Sequence, residues 1–232
     1  MPATNADAYT PPALDPGWLL AATPDWLVVN KPAGLLSVPG RGAGKDDCAI
    51  SRVQAQFADA LIVHRLDMAT SGLLLLARGP QMQRALSAAF RERQVDKTYL
   101  AIVAGRLADP HGSIDLPLIT GWPNRPRQMV EHQTGKPSLT HYCCLGYDPA
   151  RDVSQVALTP VTGRSHQLRV HMAALGHPIL GDELYGGPHR QRASRLLLHA
   201  ARLALPDPAG GAALHFDCPP DFTPPWHVSR PE

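Results

Sequence analysis

Three short segments of this chain group acid, base and aromatic residues in patterns that could support catalysis. The first is His64-Arg65-Leu66-Asp67-Met68-Ala69-Thr70-Ser71-Gly72, a polar loop between the apolar runs Ala60–Val63 and Leu73–Ala77. An acid set directly after a buried strand is carried to a cleft rim by a rigid element. Asp67 serves equally well as the cap of a turn, with Thr70 and Ser71 beside it. The second segment, Lys97-Thr98-Tyr99-Leu100, opens a strand. Tyr99 there offers a flat face for stacking and a hydroxyl for hydrogen bonding, although a Tyr is also an ordinary strand former. The third is Thr162-Gly163-Arg164-Ser165-His166-Gln167-Leu168-Arg169, a turn feeding a helix. Backbone N–H groups at a helix start favour anions, with Arg164 just ahead of the first turn. A solvated Arg beside a helix cap is the alternative.

Other chemistries fail on spacing. Gly40-Arg41-Gly42-Ala43-Gly44-Lys45 looks like a phosphate loop, but Pro39 stands where the first Gly belongs and Asp46 where Ser or Thr is required. It reads as a surface turn. No G-x-G-x-x-G opens a helix after a strand, and no G-x-S-x-G elbow occurs. Eleven histidines are present, yet there is no H-E-x-x-H. His166 and His171 are five apart and diverge by about 140° on a helix. No metal site is expected.

The elements that must position these segments follow from periodicity. The pattern predicts helices over 47–58, 80–93 and 165–175. The second has Pro80 at its start and an apolar stripe of Ala85, Leu86, Ala89 and Phe90; the third ends at Gly176 and Pro178. Strands are expected at 26–30, 60–63, 73–77, 98–103, 140–145, 155–159, 196–199 and 213–216. Strands outnumber helices without regular alternation, which points to an α+β class with a mixed or antiparallel sheet. Residues 1–16 lack hydrophobic periodicity and are expected to form a mobile arm. Residues 17–232 read as a single domain, a length that supports a sizeable core.

Composition narrows the partners. The net charge of +2 hides a division: residues 78–202 carry 16 basic and nine acidic side chains, whereas the segments before and after are net −2 and −3. Eighteen of the 22 basic residues are Arg, whose rigid fork suits phosphate. No apolar run approaches the ~18 residues of a membrane span, and no secretory signal opens the chain. The four cysteines Cys48, Cys143, Cys144 and Cys218 form no C-x-x-C pair, so a reducing cytoplasm is expected.

At the three segments the chain resembles a known family. HRLDMATSGLLLLAR, KTYLAIV and TGRSHQLRVHMAALGHPILGDELYG, with NKPAGLLSVPG, DLPLITGWPNRPRQ and RLLLHA, resemble the RluA-type RNA pseudouridine synthases. The likeness runs from about residue 25 to 222. The stretch GWPNRPRQMVEHQTGKPSLT is most similar to the RluA subgroup, which modifies a uridine in 23S rRNA and one in a tRNA anticodon stem-loop.

The resemblance implies a curved, mixed, mainly antiparallel sheet with flanking helices and a central catalytic cleft, without the S4 RNA-binding domain many relatives carry. It implies an isomerase that needs no cofactor or metal. Asp67 becomes the catalytic carboxylate, Tyr99 the residue that stacks on the target uracil, and Arg164 the cation paired with Asp67. A partly buried Asp67–Arg164 ion pair is therefore expected. Arg65 is expected to fill the space left by a flipped base, while His64 is structural or a phosphate contact.

Lys97, His166 and the loop residues Trp122, Arg125 and Arg127 join Arg65 as candidate RNA contacts, with Trp122 the best candidate for substrate choice. Arg84, Arg91 and Arg93, and Arg190, Arg192 and Arg195, form further basic clusters that serve either RNA or solubility. The expected partner is structured rRNA or tRNA, with no membrane and a monomeric state. The competing readings are a non-catalytic RNA-binding module of the same fold and a hydrolase. The latter usually pairs two carboxylates, and Asp67 has no second acid in its motif.

Overall fold

The computed structural model describes residues 9–222. Its centre is strand β4 (Ser71–Arg78), SGLLLLAR, buried along all but its last residue. A continuous apolar run of this length fits a strand with neighbours on both edges and both faces covered. On one edge β4 pairs antiparallel with β2 (Trp26–Lys31), which carries β1 (Leu19–Ala22) on its far side. On the other edge lie β11 (Leu198–Leu205), a parallel neighbour, and β3 (Ala60–Ile62), an antiparallel one.

Beyond β11 the order continues through β5 (Asp96–Ala104), β10 (Val153–Pro160), β9 (Leu139–Asp148) and β6 (His111–Asp115), all antiparallel. Strand β12 (Leu214–Asp217) pairs with β11. Strands β7 (Leu118–Thr120) and β8 (Gln128–Val130) form a separate hairpin. The sheet is thus mixed, with one parallel junction, in agreement with the α+β expectation.

That parallel junction explains one glycine. Gly72 lies opposite Ala200 with φ +109°, and a Cβ at this position would run into the Ala200 carbonyl. Only glycine combines that dihedral with such an approach.

The helices cover the sheet. Helix α2 (Gly79–Arg91) starts with Pro80 in its first turn, buries Leu86 and Ala89, and packs on β3 and β4. Helix α1 (Ala49–Gln54) is shorter than the expected 47–58. Cys48 is its N-cap, its N–H donating to Ser51 Oγ at 2.9 Å, and the chain turns at Gln56 and Phe57, whose N–H groups both bond Val53 O. Helix α3 (Gln167–Ala174) starts two residues later than expected because His166 has a left-handed backbone, φ +53°. The short strands β1, β6, β7 and β8 went unread in the sequence, since their three to five residues show little alternation.

Two large apolar clusters and a small one around Ile102, Ala104, Val153 and Leu180 fill the interior. Of the large ones, the first joins β2, β4, α1 and α2, and the second joins β5, β10 and α3 through Val156, Leu158, Leu168 and Met172. Of the expected N-terminal arm, residues 1–8 lie outside the described residues. From Tyr9 on the chain contacts the rest of the protein: the Tyr9 hydroxyl donates to Asp47 O and accepts from Leu36 N–H, Arg52 bonds Pro12 O, and Leu14 packs on the core.

Candidate active site

The loop between β3 and β4 is braced on every side. Ser37 Oγ donates to Leu66 O at 2.8 Å and accepts from Leu66 N–H at 3.1 Å. Lys31, at the end of β2, is wholly buried and donates to the carbonyls of Pro32 (2.9 Å), Leu35 (2.7 Å) and Met68 (3.1 Å). Gly34 N–H also reaches Met68 O, and Thr70 N–H closes a turn on Asp67 O. Burial draws the Lys31 ammonium down to about 7, while the Asp67 charge pulls the other way; three carbonyl acceptors match its three donors.

His64 fills a gap in the sheet. Its Nε2 accepts the Leu75 N–H at 3.0 Å, between the point where β11 leaves β4 and the point where β3 joins. Its ring stacks on Phe90 at 4.4 Å. Burial, reinforced by the Lys97 charge, takes it down to about 3, so it is a neutral acceptor. This is the structural alternative named for His64.

Asp67 is thereby fixed at the floor of a cleft of about 920 Å³. Its side chain keeps 27% of its surface exposed, open to a ligand. The expected Asp67–Arg164 ion pair is not formed. The cation beside Asp67 is Arg169, with Nη1 3.6 Å from Oδ2 and only 5% of its side chain exposed. Arg164 is exposed at the cleft wall, where its Nε donates to Pro137 O at 3.3 Å.

The reason lies in how α3 begins. Gln167 anchors the turn: its Oε1 accepts from Thr162 Oγ1 (2.7 Å) and Arg164 N–H (3.0 Å), and its Nε2 donates to Leu139 O and Thr140 Oγ1. The Arg164 side chain is left outside this turn, and position 169 enters the interior.

Arg169 is held there by Asp182, 1% exposed, through two bonds of 2.7 and 2.8 Å. This is a bidentate fork. Asp182 Oδ1 also accepts the N–H groups of Leu184 and Tyr185. Burial works against the Arg169 charge, but Asp182, Asp67 and Tyr185 outweigh it and raise its pKa.

Tyr99, on β5, lines the cleft beside Asp67. Burial first, then the Asp67 charge, pushes its phenol well above the usual range, so it is a neutral hydroxyl. His166 also faces Asp67, with Nε2 4.0 Å from Oδ2, and its Nδ1 is 2.7 Å from the Tyr185 hydroxyl.

Arg65 and Lys97 line the cleft, and Arg65 makes no ion pair among the described residues. Of the β7–β8 loop, Arg125 reaches the cleft and sits 3.7 Å over the Trp122 ring. Trp122, 68% exposed, and Arg127 lie outside the lining. Arg91 and Arg93 line the cleft and Arg84 does not. Arg190, Arg192 and Arg195 lie away from it, where Arg192 bonds backbone carbonyls and Arg195 pairs with Asp221.

Sequence reasoning missed Arg41 at the cleft rim, and it missed Arg169, Asp182 and Tyr185 below it. Arg169 was visible as the last residue of the third segment, but its burial depends on the start of α3. Among the described residues, the cleft lining counts seven Arg or Lys side chains and one carboxylate, Asp67.

Comparisons with known proteins show the family. Residues 25–174 match the family model of RNA pseudouridylate synthases. The dual-specificity RNA pseudouridine synthase RluA of Yersinia pestis is 52% identical over 197 residues, 84% of this chain and 95% of that protein. Its counterpart in Escherichia coli K12 is 50% identical over 217 residues, 92% of this chain and 98% of that protein. Among solved structures, human RNA pseudouridylate synthase domain containing 1 superposes with a TM-score of 0.74 at 32% identity, covering 89% of this chain and 84% of that one. Through the family model and these identities, the chain belongs to the RNA pseudouridylate synthase family.

Proposed function

We propose that this protein converts uridine to pseudouridine in structured RNA, with Asp67 as the reacting carboxylate. The observation that carries the reading is the cleft itself, which among the described residues sets one carboxylate among seven cations. Such a wall suits a phosphate backbone, and the lone acid singles out the reacting position. A glycoside hydrolase would be expected to place a second carboxylate there.

The reaction breaks the bond from uracil N1 to ribose C1′ and forms one from C5 to C1′. The C5 proton leaves and N1 gains one, so no atoms are added. A uridine within a stem-loop must first be turned out of its stack, at about a few kcal/mol. Arg65 takes the vacated space in the RNA, Tyr99 stacks on the uracil, and Asp67 acts on the ribose or the base. Arg169 replaces Arg164 as the cation that keeps Asp67 oriented and balances its charge in a partly dry site. Arg164, Lys97, His166 and Arg125 contact RNA from the cleft wall, and Trp122 and Arg127 do so from its margin.

The substrate is a 23S rRNA hairpin, a tRNA anticodon stem-loop or both; the bacterial relatives are dual-specificity RNA pseudouridine synthases, which supports more than one target. Among the described residues no helix is long and apolar enough to cross a membrane. The protein acts as a cytoplasmic monomer.

Tritium release from RNA labelled at uracil C5 tests the reaction. The wild type releases tritium and Asp67→Asn does not, while it still folds and binds RNA. Release by Asp67→Asn at the wild-type rate would remove the assignment. Pseudouridine mapping in cells lacking the gene then tests the substrates, with loss expected in 23S rRNA, in tRNA or in both.

A further inference from the structure

Three groups from separate parts of the chain meet behind Asp67. Tyr185 Oη accepts the Gln128 N–H at 2.7 Å, and Gln128 opens β8 of the hairpin that borders the cleft. The same hydroxyl lies 2.7 Å from His166 Nδ1. Among the described residues that hydroxyl has no other acceptor, so donation to Nδ1 is the arrangement that satisfies both groups within the protein. The imidazole proton then sits on Nε2, which faces Asp67 Oδ2 at 4.0 Å. The carboxylate favours the same tautomer by attraction. That separation is just beyond hydrogen-bond length, and contacts of this kind shorten when substrate closes the site.

Backbone geometry supports a functional role. His166 is held at φ +53°, one of three non-glycine residues with positive φ among those described. A left-handed histidine costs conformational energy, and such residues cluster at active sites. The turn keeps His166 out of α3 and directs its ring at Asp67 and Tyr185 at once. Tyr185 is itself fixed, since its N–H bonds Asp182 Oδ1 and its ring lies 5.1 Å from the Arg169 guanidinium carbon. Asp182 thus orders both the cation beside Asp67 and the tyrosine behind His166.

We propose that Tyr185 is a positioning residue for the isomerisation: its hydroxyl locks His166 in the tautomer that turns Nε2–H toward Asp67, and ties that imidazole to the hairpin at the RNA face. This rests on the reading of Asp67 as the reacting carboxylate. RNA seated against β8 holds Tyr185 through Gln128, and Tyr185 holds the donor against the reacting acid. Binding at the hairpin and order at Asp67 are linked through two side chains.

The test combines Tyr185→Phe, which keeps the ring over Arg169 and removes only the hydroxyl, with His166→Gln. Single-turnover tritium release at saturating enzyme, the RNA dissociation constant and the ring 15N shifts of labelled histidine are measured. The wild type should show His166 protonated on Nε2. In Tyr185→Phe that preference should be lost, with release about tenfold slower and RNA affinity held within about twofold. In a His166→Gln background, Tyr185→Phe should add no further loss; a merely structural role would instead add its cost in both backgrounds. An Nδ1–H tautomer in the wild type, or Tyr185→Phe at full rate, overturns the proposal. The wild-type tautomer decides the matter even if the variant does not fold. Asp67→Asn separates the two readings: an inactive Asp67→Asn with a fully active Tyr185→Phe sinks this inference alone, whereas an active Asp67→Asn sinks the reading beneath it.

Discussion

Arg169 Nη1 lies 3.6 Å from Asp67 Oδ2 while its Nε and Nη2 are clamped by Asp182 at 2.8 and 2.7 Å. One buried guanidinium therefore serves two carboxylates of different character. Asp182 is sealed and accepts four hydrogen bonds; Asp67 keeps a quarter of its surface open. The arrangement orients the reacting acid through a cation that is itself immobile, and it leaves the outward side of Asp67 free for substrate.

Removing that cation leaves Asp182 buried without its partner. Arg169→Met should cost about 3–5 kcal/mol of stability, because an uncompensated buried charge is far more costly than the pair is favourable. Arg164→Ala should change stability by no more than about 0.5 kcal/mol, since Arg164 is exposed with a single 3.3 Å side-chain bond. Urea unfolding of the two variants checks the contrast, and equal destabilisation would contradict the assignment of Arg169 as the buried partner.

Lys31 supports the loop from behind. Lys31→Met keeps most of the side-chain volume but takes a donor from three carbonyls: Leu35 O loses its partner, Pro32 O keeps only a long bond from Leu35 N–H, and Met68 O, directly after Asp67, keeps only the Gly34 N–H. The expected loss is about 1–3 kcal/mol, from one unpaired buried acceptor and the weakened bonding of its neighbours. Tritium release should fall even below the melting temperature because the loop loses its anchor. A variant as stable and as active as the wild type would show that the ammonium does not hold the loop.

Acid should weaken the fold through His199. This residue is 2% exposed, with Nε2–H donating to Cys218 O at 3.0 Å and Nδ1 facing Ser71 Oγ at 2.9 Å; Arg195 and Asp221 are its charged neighbours. Burial lowers it from 6.5 to about 4. Between these values the unfolded chain binds a proton that the folded chain refuses. Its contribution is therefore complete above pH 6.5 and is lost as pH falls toward 4, by about 3 kcal/mol. Stability measured across pH 4–7 should show this slope in the wild type and a flatter one in His199→Gln.

The RNA face can be read through salt. Arg125 is an exposed cleft cation held over Trp122. Arg125→Ala should reduce the slope of log affinity against log salt by about 0.7–0.9, the value for one phosphate contact. An unchanged slope in fluorescence titrations at several salt concentrations would place Arg125 off the RNA path. Trp122→Ala should weaken binding with little change in slope, because stacking releases no counterions.

Much of this molecule was legible as a string. The buried run of β4, the Pro-started helix α2, and the strands carrying Tyr99 and the third segment follow from local periodicity and capping. The motif residues Asp67 and Tyr99 were marked by type and order, and both line the cleft. The charge division along the chain anticipated most of the basic face: Arg91, Arg93, Lys97, Arg125 and Arg164 come from the basic segment, whereas Arg41 and Arg65 come from the part before it.

What the tertiary structure decided was which groups meet. Nothing local distinguishes Arg164 from Arg169; a left-handed residue and a buried glutamine put one outside and the other inside. Asp182 and Tyr185 reach the site only because the segment after α3 folds back beneath Asp67. Sequence encodes periodicity and turns through neighbours a few residues apart. The partner of a buried charge is set by burial and long-range packing, where an unpaired ion is too costly to remain, and only the folded chain shows which side chain meets that need.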